Sequence, residues 1–237
     1  MMRRILSALF LAVIPLSAMV AGCGSDGPDE GPDMNFFRMP DKESENKPVV
    51  EENVALLFPT GKERLWKLSV RAMDKESVET VRVDSPRKIG GIANATTLTM
   101  YQNGKPYRSE MFQIKKDSLY LIAAGGGDKM IMSPPMILLR SQSPPGVDYK
   151  WEGKITFKGS QAPAQAYSRV QAAQEVITPA GKFKAYRVDT ALTTIIEGRP
   201  VIFPASRWFV PGVGIVKQTF RVGNAVVEKQ LISYTSS

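Results

Sequence analysis

The chain of 237 residues contains one cysteine, Cys23, and no histidine. Histidine is the commonest general base and the commonest ligand of transition metals, so its absence excludes most familiar catalytic and metal chemistry. Neither a Ser–His nor a Cys–His pair can form, and a zinc or copper site with the usual ligands cannot be assembled. The sequence therefore predicts no metal site and no cofactor.

The other catalytic patterns in the chain are weak. Ser85 and Lys88 match a Ser-x-x-Lys motif, in which the lysine could deprotonate the serine. A match this short arises by chance, the partner motifs Ser-Asp-Asn and Lys-Thr-Gly are absent, and Pro86 disfavours a helix at this point. The chain has no phosphate-binding loop, and no pair of carboxylates stands out for glycoside hydrolysis. We therefore expect that the protein is not an enzyme.

The first 22 residues have the pattern of an export signal. Arg3 and Arg4 precede an apolar run from Ile5 to Val20, which the small residues Ala21 and Gly22 follow. The run is shorter than the roughly 20 residues that a membrane-spanning helix needs. The pattern is typical of a cleaved signal peptide over residues 1–22.

Val20-Ala21-Gly22-Cys23 resembles the lipobox of bacterial lipoproteins, an aliphatic residue and two small ones before a cysteine. In that family a signal peptidase cuts before the cysteine, whose sulfur carries diacylglycerol and whose amino group is usually acylated too. The resemblance implies that Cys23 is the lipid-attachment residue, because two or three acyl chains hold a protein stably in a membrane. The alternative is an ordinary signal peptide with an incidental cysteine.

The residue after the cysteine bears on which membrane holds the anchor. In enteric bacteria an aspartate at this position favours the inner membrane, and this chain has Gly24 there. The resemblance therefore implies lipid anchoring in the outer membrane of a diderm cell, at its periplasmic face or at the cell surface.

The charge balance changes sign along the chain. Between Gly24 and Glu52, nine acidic residues face three basic ones, a net charge of −6, and apolar content is low. This composition predicts a disordered tether that begins at the lipidated cysteine, over residues 23–52. Residues 53–237 hold 26 basic and 14 acidic residues, a net charge of +12. Such a surface can bind anionic lipid or acidic glycan, or it can serve solubility alone; export leaves little opportunity for nucleic acid.

Residues 53–237 have the pattern of a β domain. Asn103-Gly104 is a strong hairpin signal between two β-rich runs, and Pro179–Gly181 and Pro211–Gly214 are suited to tight turns. An alanine-rich stretch could form a short helix, but we expect a strand over Tyr167–Val176 because it leads to the hairpin at Pro179. The predicted fold is all-β, a single strongly curved antiparallel sheet that forms a half-open barrel of about 9–11 strands, with little helix.

Aromatic and methionine side chains are the remaining candidates for a binding surface. Trp66, Trp151 and Trp208 are expected in the core, or alternatively around a pocket for an acyl chain or a sugar ring. The methionine-rich segment Lys129–Leu139, interrupted by two prolines, is a candidate lid or rim of that pocket.

The segments TPAGKFKAYRV and RWFVPGVGIVKQ resemble a pattern found in uncharacterised bacterial envelope lipoproteins. These proteins are similar in outline to the half-barrel carriers of the Lol lipoprotein-sorting system, in which a curved antiparallel sheet holds acyl chains. The resemblance covers most of residues 55–235 and implies the fold. It does not transfer the carrier's activity, because no carrier residue matches here position by position.

Two functions remain open from the sequence. In the first, the membrane-anchored β domain is a non-catalytic binding module for a lipid, an amphiphile or an anionic envelope ligand. In the second, it is a structural or assembly accessory of the cell envelope that binds a protein or glycan without a ligand pocket. A filled sheet with no connected apolar cavity would contradict the first. We expect a monomer.

Overall fold

The computed structural model describes Val50 and residues 53–58, 64–89, 91–143, 148–196, 198–222 and 225–235. Cys23, the leader and most of the acidic segment lie outside these residues. The elements are a short helix α1 and fourteen strands: α1 Val54–Leu57, β1 Arg64–Ala72, β2 Lys75–Val83, β3 Arg87–Ile89, β4 Ile92–Gln102, β5 Lys105–Lys115, β6 Ser118–Gly125, β7 Lys129–Arg140, β8 Asp148–Phe157, β9 Ser160–Val170, β10 Gln174–Thr178, β11 Gly181–Ile196, β12 Arg199–Val210, β13 Gly214–Val222 and β14 Ala225–Thr235. None of the described helices is long and apolar enough to cross a membrane.

The strands form one antiparallel sheet that closes on itself. Each neighbour pairs in the order β11-β12-β13-β14-β1-β2-β4-β5-β6-β7-β8-β9, and β9 pairs back onto β11, so that 12 strands form a barrel. The strands β3 and β10 pair with β4 and β11 outside this ring. The predicted all-β class and curved antiparallel sheet are confirmed. The structure differs from the prediction in two respects: the barrel is closed, and the described strands outnumber the predicted 9–11. Closure could not be predicted because the alternation of apolar and polar residues indicates single strands, but not whether two distant sheet edges pair.

The two ends of the barrel differ. At one end, which we call the hairpin end, six short turns join β1–β2, β4–β5, β6–β7, β8–β9, β11–β12 and β13–β14. At the other, which we call the plugged end, lie α1 and the turns after β5, β7 and β12. The amide of Gly212 donates to the carbonyl of Leu56 (2.7 Å), and the amide of Gln142 donates to that of Val50 (2.6 Å).

The helix α1 closes the plugged end with apolar side chains. Asn53 caps it, its side-chain oxygen accepting from the amide of Ala55 at 2.8 Å. Val54, Leu57 and Phe58 are at most 1% exposed, and the Phe58 ring lies 4.8 Å from that of Phe112, centroid to centroid. Residues 54–58 therefore close this end of the barrel.

The core of the barrel follows from strand alternation. In β2, Glu79, Val81 and Val83 are buried while their neighbours along the strand are exposed, so one face of each strand points inward. Toward the plugged end the inward side chains are large and apolar. They form one buried cluster with Val54 and Leu57 of α1: Trp66, Val83, Leu98, Phe112, Leu119, Met136, Leu139 and Phe209.

Two local predictions need correction. The segment Lys129–Leu139 is not a lid: it lies within β7, and Met132, Met136 and Leu138 are buried in the core. Its prolines are tolerated because β7 pairs with β8 only over Ile131–Ser133. The strand predicted over Tyr167–Val176 is interrupted, since β9 ends at Val170 and β10 begins at Gln174.

Candidate functional site in the barrel interior

Midway along the barrel and toward the hairpin end, polar side chains replace the apolar core. They project inward from β2, β5, β12, β13 and β14, and several contact one another across the interior. We call this group the interior charge cluster: Glu79, Tyr107, Arg108, Glu110, Arg207, Gln218 and Lys229.

One half of the cluster is centred on Glu79. The Nζ of Lys229 donates to both carboxylate oxygens of Glu79, at 2.7 and 2.8 Å, and the Tyr107 hydroxyl donates to the same carboxylate. The Lys229 and Glu79 side chains are only 4% and 2% exposed. Because these residues belong to β14, β2 and β5, the contacts join three strands that are not neighbours in the sheet.

The other half is centred on Glu110. The Oε1 of Glu110 lies 3.3 Å from Arg108 Nη2 on the same strand and 3.6 Å from Arg207 Nη2 on β12. Strands β5 and β12 lie on opposite sides of the ring, so this ion pair spans the interior. Both distances exceed those of a tight charge-assisted hydrogen bond. Glu110 Oε2 and Arg207 Nε are buried and have no hydrogen-bond partner in the described part of the chain.

Phe220 links the two halves. The Arg108 guanidinium carbon lies 5.2 Å from the centroid of the Phe220 ring, and Lys229 Nζ lies 5.8 Å from it. Both distances are within the range of cation–π attraction. Phe220 is half-buried, at an inward position between the cluster and the hairpin end.

Burial and charge set the protonation of the cluster. Burial lowers the pKa of Lys229, and the carboxylate of Glu79 only partly opposes this. Burial by itself would raise the pKa of Glu110, but Arg207, Arg108 and Lys229 together hold it below its usual value. Burial, and then the charge of Glu79, raise the pKa of Tyr107, which stays protonated. At neutral pH Glu110 is therefore ionised and Tyr107 neutral.

This arrangement suits a structural role better than catalysis. The lysine whose pKa is lowered is held by both oxygens of Glu79 and is buried, so it cannot reach a substrate as a nucleophile. The described residues include no histidine or cysteine, and they contain no group of three metal-ligating side chains. The cluster ties distant strands together from the inside.

A small cavity borders the cluster. Its water-accessible volume is about 20 Å³, room for about one water molecule and far below the hundreds of Å³ of a ligand pocket. Trp66, Glu79, Glu110, Gln218 and Lys229 line it together with apolar side chains. The cavity that these residues enclose is too small for an acyl chain or a sugar ring.

The three tryptophans occupy different surroundings. Trp66 and Trp151 are buried in the core, as one of the two sequence interpretations predicted, and Trp151 Nε1 donates to the carbonyl of Pro134 at 2.9 Å. Trp208 is 8% exposed and belongs to the same buried cluster, as that interpretation also predicted, and it lies between two cations. The Arg187 guanidinium carbon and Lys217 Nζ are 5.3 and 5.4 Å from its ring.

Ion pairs continue on either side of Trp208 around the outside of the barrel. Lys217 Nζ lies 2.8 Å from Glu228, and Arg187 Nε lies 2.7 Å from Asp189, which also accepts from the Ser206 hydroxyl at 2.5 Å. Burial alone would raise the pKa of Glu228, but hydrogen bonds from Lys217 and Gln230 lower it.

The residues singled out from the sequence are not brought together. Cys23 lies outside the described residues, and Lys88 is exposed on β3, with Ser85 exposed in the preceding loop.

The sequence analysis missed the interior charge cluster. Its signal was present, because Glu79, Arg207 and Lys229 each stand two positions from a buried apolar residue on the same strand face: Val81, Phe209 and Leu231.

Neither a protein-family model nor a curated protein matches the chain. Three solved structures are similar in shape. A candidate lipoprotein of Parabacteroides distasonis is 13% identical with a TM-score of 0.49, over 76% of this chain and 98% of that one. A candidate exported protein of Bacteroides fragilis with a YmcC-like fold is 15% identical with a TM-score of 0.48, over the same shares. The hypothetical lipoprotein YmcC of Escherichia coli is 7% identical with a TM-score of 0.35, over 79% and 91%.

Proposed function

We propose that the chain is an exported lipoprotein, anchored through Cys23, whose basic β-barrel is a non-catalytic accessory of the cell envelope. It binds its partner on the outside of the barrel. Of the two functions that the sequence left open, this is the second. The acidic segment of residues 23–52 joins the anchor to the barrel, and Gly24 after the cysteine favours the outer membrane.

The observation that carries this proposal is the filled interior. The plugged end is closed by Leu57 and Phe58, and the Glu110–Arg207 ion pair crosses the barrel in the middle. A carrier that holds an acyl chain inside its sheet needs an open apolar cavity of several hundred Å³. The cavity beside the interior charge cluster has a volume of only about 20 Å³.

Lipid extraction tests the interior directly. The protein is purified without detergent as residues 24–237, which lack the anchor, and its organic extract is analysed by mass spectrometry. We expect less than one tenth of a lipid molecule per protein molecule. One tightly held lipid per barrel would reject the accessory function and favour the first function, a binding module for lipid.

Fatty-acid labelling tests the anchor. Cells that express the full chain are grown with labelled palmitate, beside cells that express Cys23→Ala. The label is expected in the wild-type band and absent from the variant, since the sulfur of Cys23 is the proposed site of acylation. Cys23→Ala protein that still carries the label would refute the anchor, and a Ser25→Ala variant that labels normally serves as the control.

A further inference from the structure

We propose that the hairpin end of the barrel is a docking surface for an anionic membrane. This docking surface goes beyond the proposed function, because it belongs to the barrel itself and does not depend on acylation of Cys23. The argument rests on the placement of cations and apolar side chains around this end.

Every hairpin at this end carries an exposed cation in its turn or within two residues of it. The six residues come from six different hairpins, so together they form a ring around the mouth: Lys75, Lys105, Lys129, Lys158, Arg199 and Arg221. The acids at this end are fewer. Among the described residues these acids are Asp74, Glu76 and Asp128; Asp128 lies 3.4 Å from Lys158, and Glu76 lies 3.0 Å from Arg71. A ring of this kind presents its cations to one flat surface at the same time.

Exposed apolar side chains stand beside these cations. Met73, Ile195, Ile202 and Val226 are between 46% and 56% exposed, and they come from β11, β12, β14 and the β1–β2 turn. These strands lie on one side of the ring, where only β13 separates β12 from β14. Cations next to large apolar groups suit the boundary between lipid headgroups and acyl chains.

The charge at the hairpin end favours an anionic partner. Six exposed cations lie there against three acids of the described residues, so this end is positively charged. A positively charged surface is complementary to the anionic lipids of a bacterial membrane.

The length of the chain allows this contact in an anchored protein. The residues between Cys23 and Val50 span at most roughly 90 Å when extended, and the barrel is about 30 Å tall. The anchor and the hairpin end can therefore contact the same membrane.

Vesicle sedimentation tests the proposal with residues 24–237, which contain the entire described barrel and its core but no acylation site. The vesicles contain phosphatidylglycerol and phosphatidylcholine in equal parts, or phosphatidylcholine alone. The ring variant replaces its six cations with glutamine. The control variant removes the same charge at the plugged end through Arg87→Gln, Lys88→Gln, Lys115→Gln, Lys116→Gln, Lys182→Gln and Lys184→Gln, all at exposed positions.

We expect the wild-type chain to bind the anionic vesicles and not the neutral ones. The ring variant should lose binding about tenfold or more, and the control variant less than about threefold. Equal losses in the two variants, or no binding of the wild-type chain, would overturn the proposal. Tighter binding of the wild-type chain to alginate than to the vesicles would also overturn the proposal, because the partner would then be an acidic glycan.

Circular dichroism verifies that each variant is folded. If the ring variant does not fold, the triple variant Lys105→Gln, Lys129→Gln and Arg221→Gln is compared with Lys88→Gln, Lys116→Gln and Lys184→Gln. The expected loss is then about threefold for the first and none for the second.

Discussion

Lys229 Nζ lies between the two carboxylate oxygens of Glu79, at 2.7 and 2.8 Å, although 150 residues separate the pair in the chain. The contact bridges β14 and β2 across β1, on the inside of the barrel. Both side chains are nearly inaccessible to water, so each depends on the other for its charge to be tolerated.

Replacing one member of this pair should be far more damaging than replacing both. Lys229→Met leaves the Glu79 carboxylate buried with only Tyr107 as a partner, and we expect a loss of about 3–5 kcal/mol in the free energy of unfolding. The double variant Glu79→Leu/Lys229→Met should recover most of this loss, since no unpaired charge remains. Urea unfolding of the wild type, the two single variants and the double variant measures the coupling. Losses that simply add would show that the two residues act independently.

Acid should remove the contribution of Glu110. Its pKa is lower in the folded barrel than the usual value of about 4.3. Between the folded and the unfolded pKa of Glu110, the unfolded chain binds more protons than the folded barrel. The stabilisation by ionised Glu110 is therefore complete above about pH 4.3, and it is lost as the pH falls through the folded pKa. The difference in unfolding free energy between wild type and Glu110→Gln should therefore shrink from neutral pH toward about pH 3. A difference that stays constant over this range would contradict the charged cluster.

The helix α1 and the following Phe58, which close the plugged end, should contribute strongly to stability. Phe58→Ala removes a ring that packs on Phe112 at the plugged end, and we expect a loss of about 3–5 kcal/mol in thermal or urea unfolding. Leu56→Ala is the matched control on the same segment. Leu56 is 52% exposed, so its replacement should change stability by less than about 0.5 kcal/mol. Similar losses in the two variants would mean that α1 does not seal the barrel.

Gly153 marks a close approach between β8 and β7. A Cβ added there would lie 2.5 Å from the carbonyl oxygen of Ser133 and 2.7 Å from the Trp151 ring. Gly153→Ala should therefore destabilise the protein by about 1–3 kcal/mol, measured by urea unfolding. At Gly127 an added Cβ meets nothing within 4 Å, so Gly127→Ala should be close to neutral. A neutral Gly153→Ala would show that the two strands can separate at this point.

Much of the fold could be predicted from local chemistry. Asn103-Gly104 forms the β4–β5 hairpin, and Pro179-Ala180 and Pro211–Val213 lie in turns between strands, because these residues favour the backbone angles that turns need. Ring closure could not be predicted in this way. It depends on the pairing of β9 with β11, which skips β10 along the chain, and no local pattern encodes that choice.

The candidate site was harder to predict. A charged residue in an alternating strand is normally assigned to the exposed face, and the polar residues Arg108 and Ser109 directly precede Glu110. Its burial follows from partners on distant strands, Arg207 above all, which only the closed ring brings near. Strand parity could have identified Glu79 and Lys229 as inward-facing, but it could not have paired them.

The first and last strands of the barrel are neighbours, with Trp66 of β1 opposite Tyr234 of β14. The ring therefore cannot close until β14 is available, however early the other hairpins form. While the chain is still emerging from a ribosome or a translocation channel, β1 keeps an unpaired edge. Because β14 follows every other described strand in the chain, the finished barrel waits for the synthesis of β14.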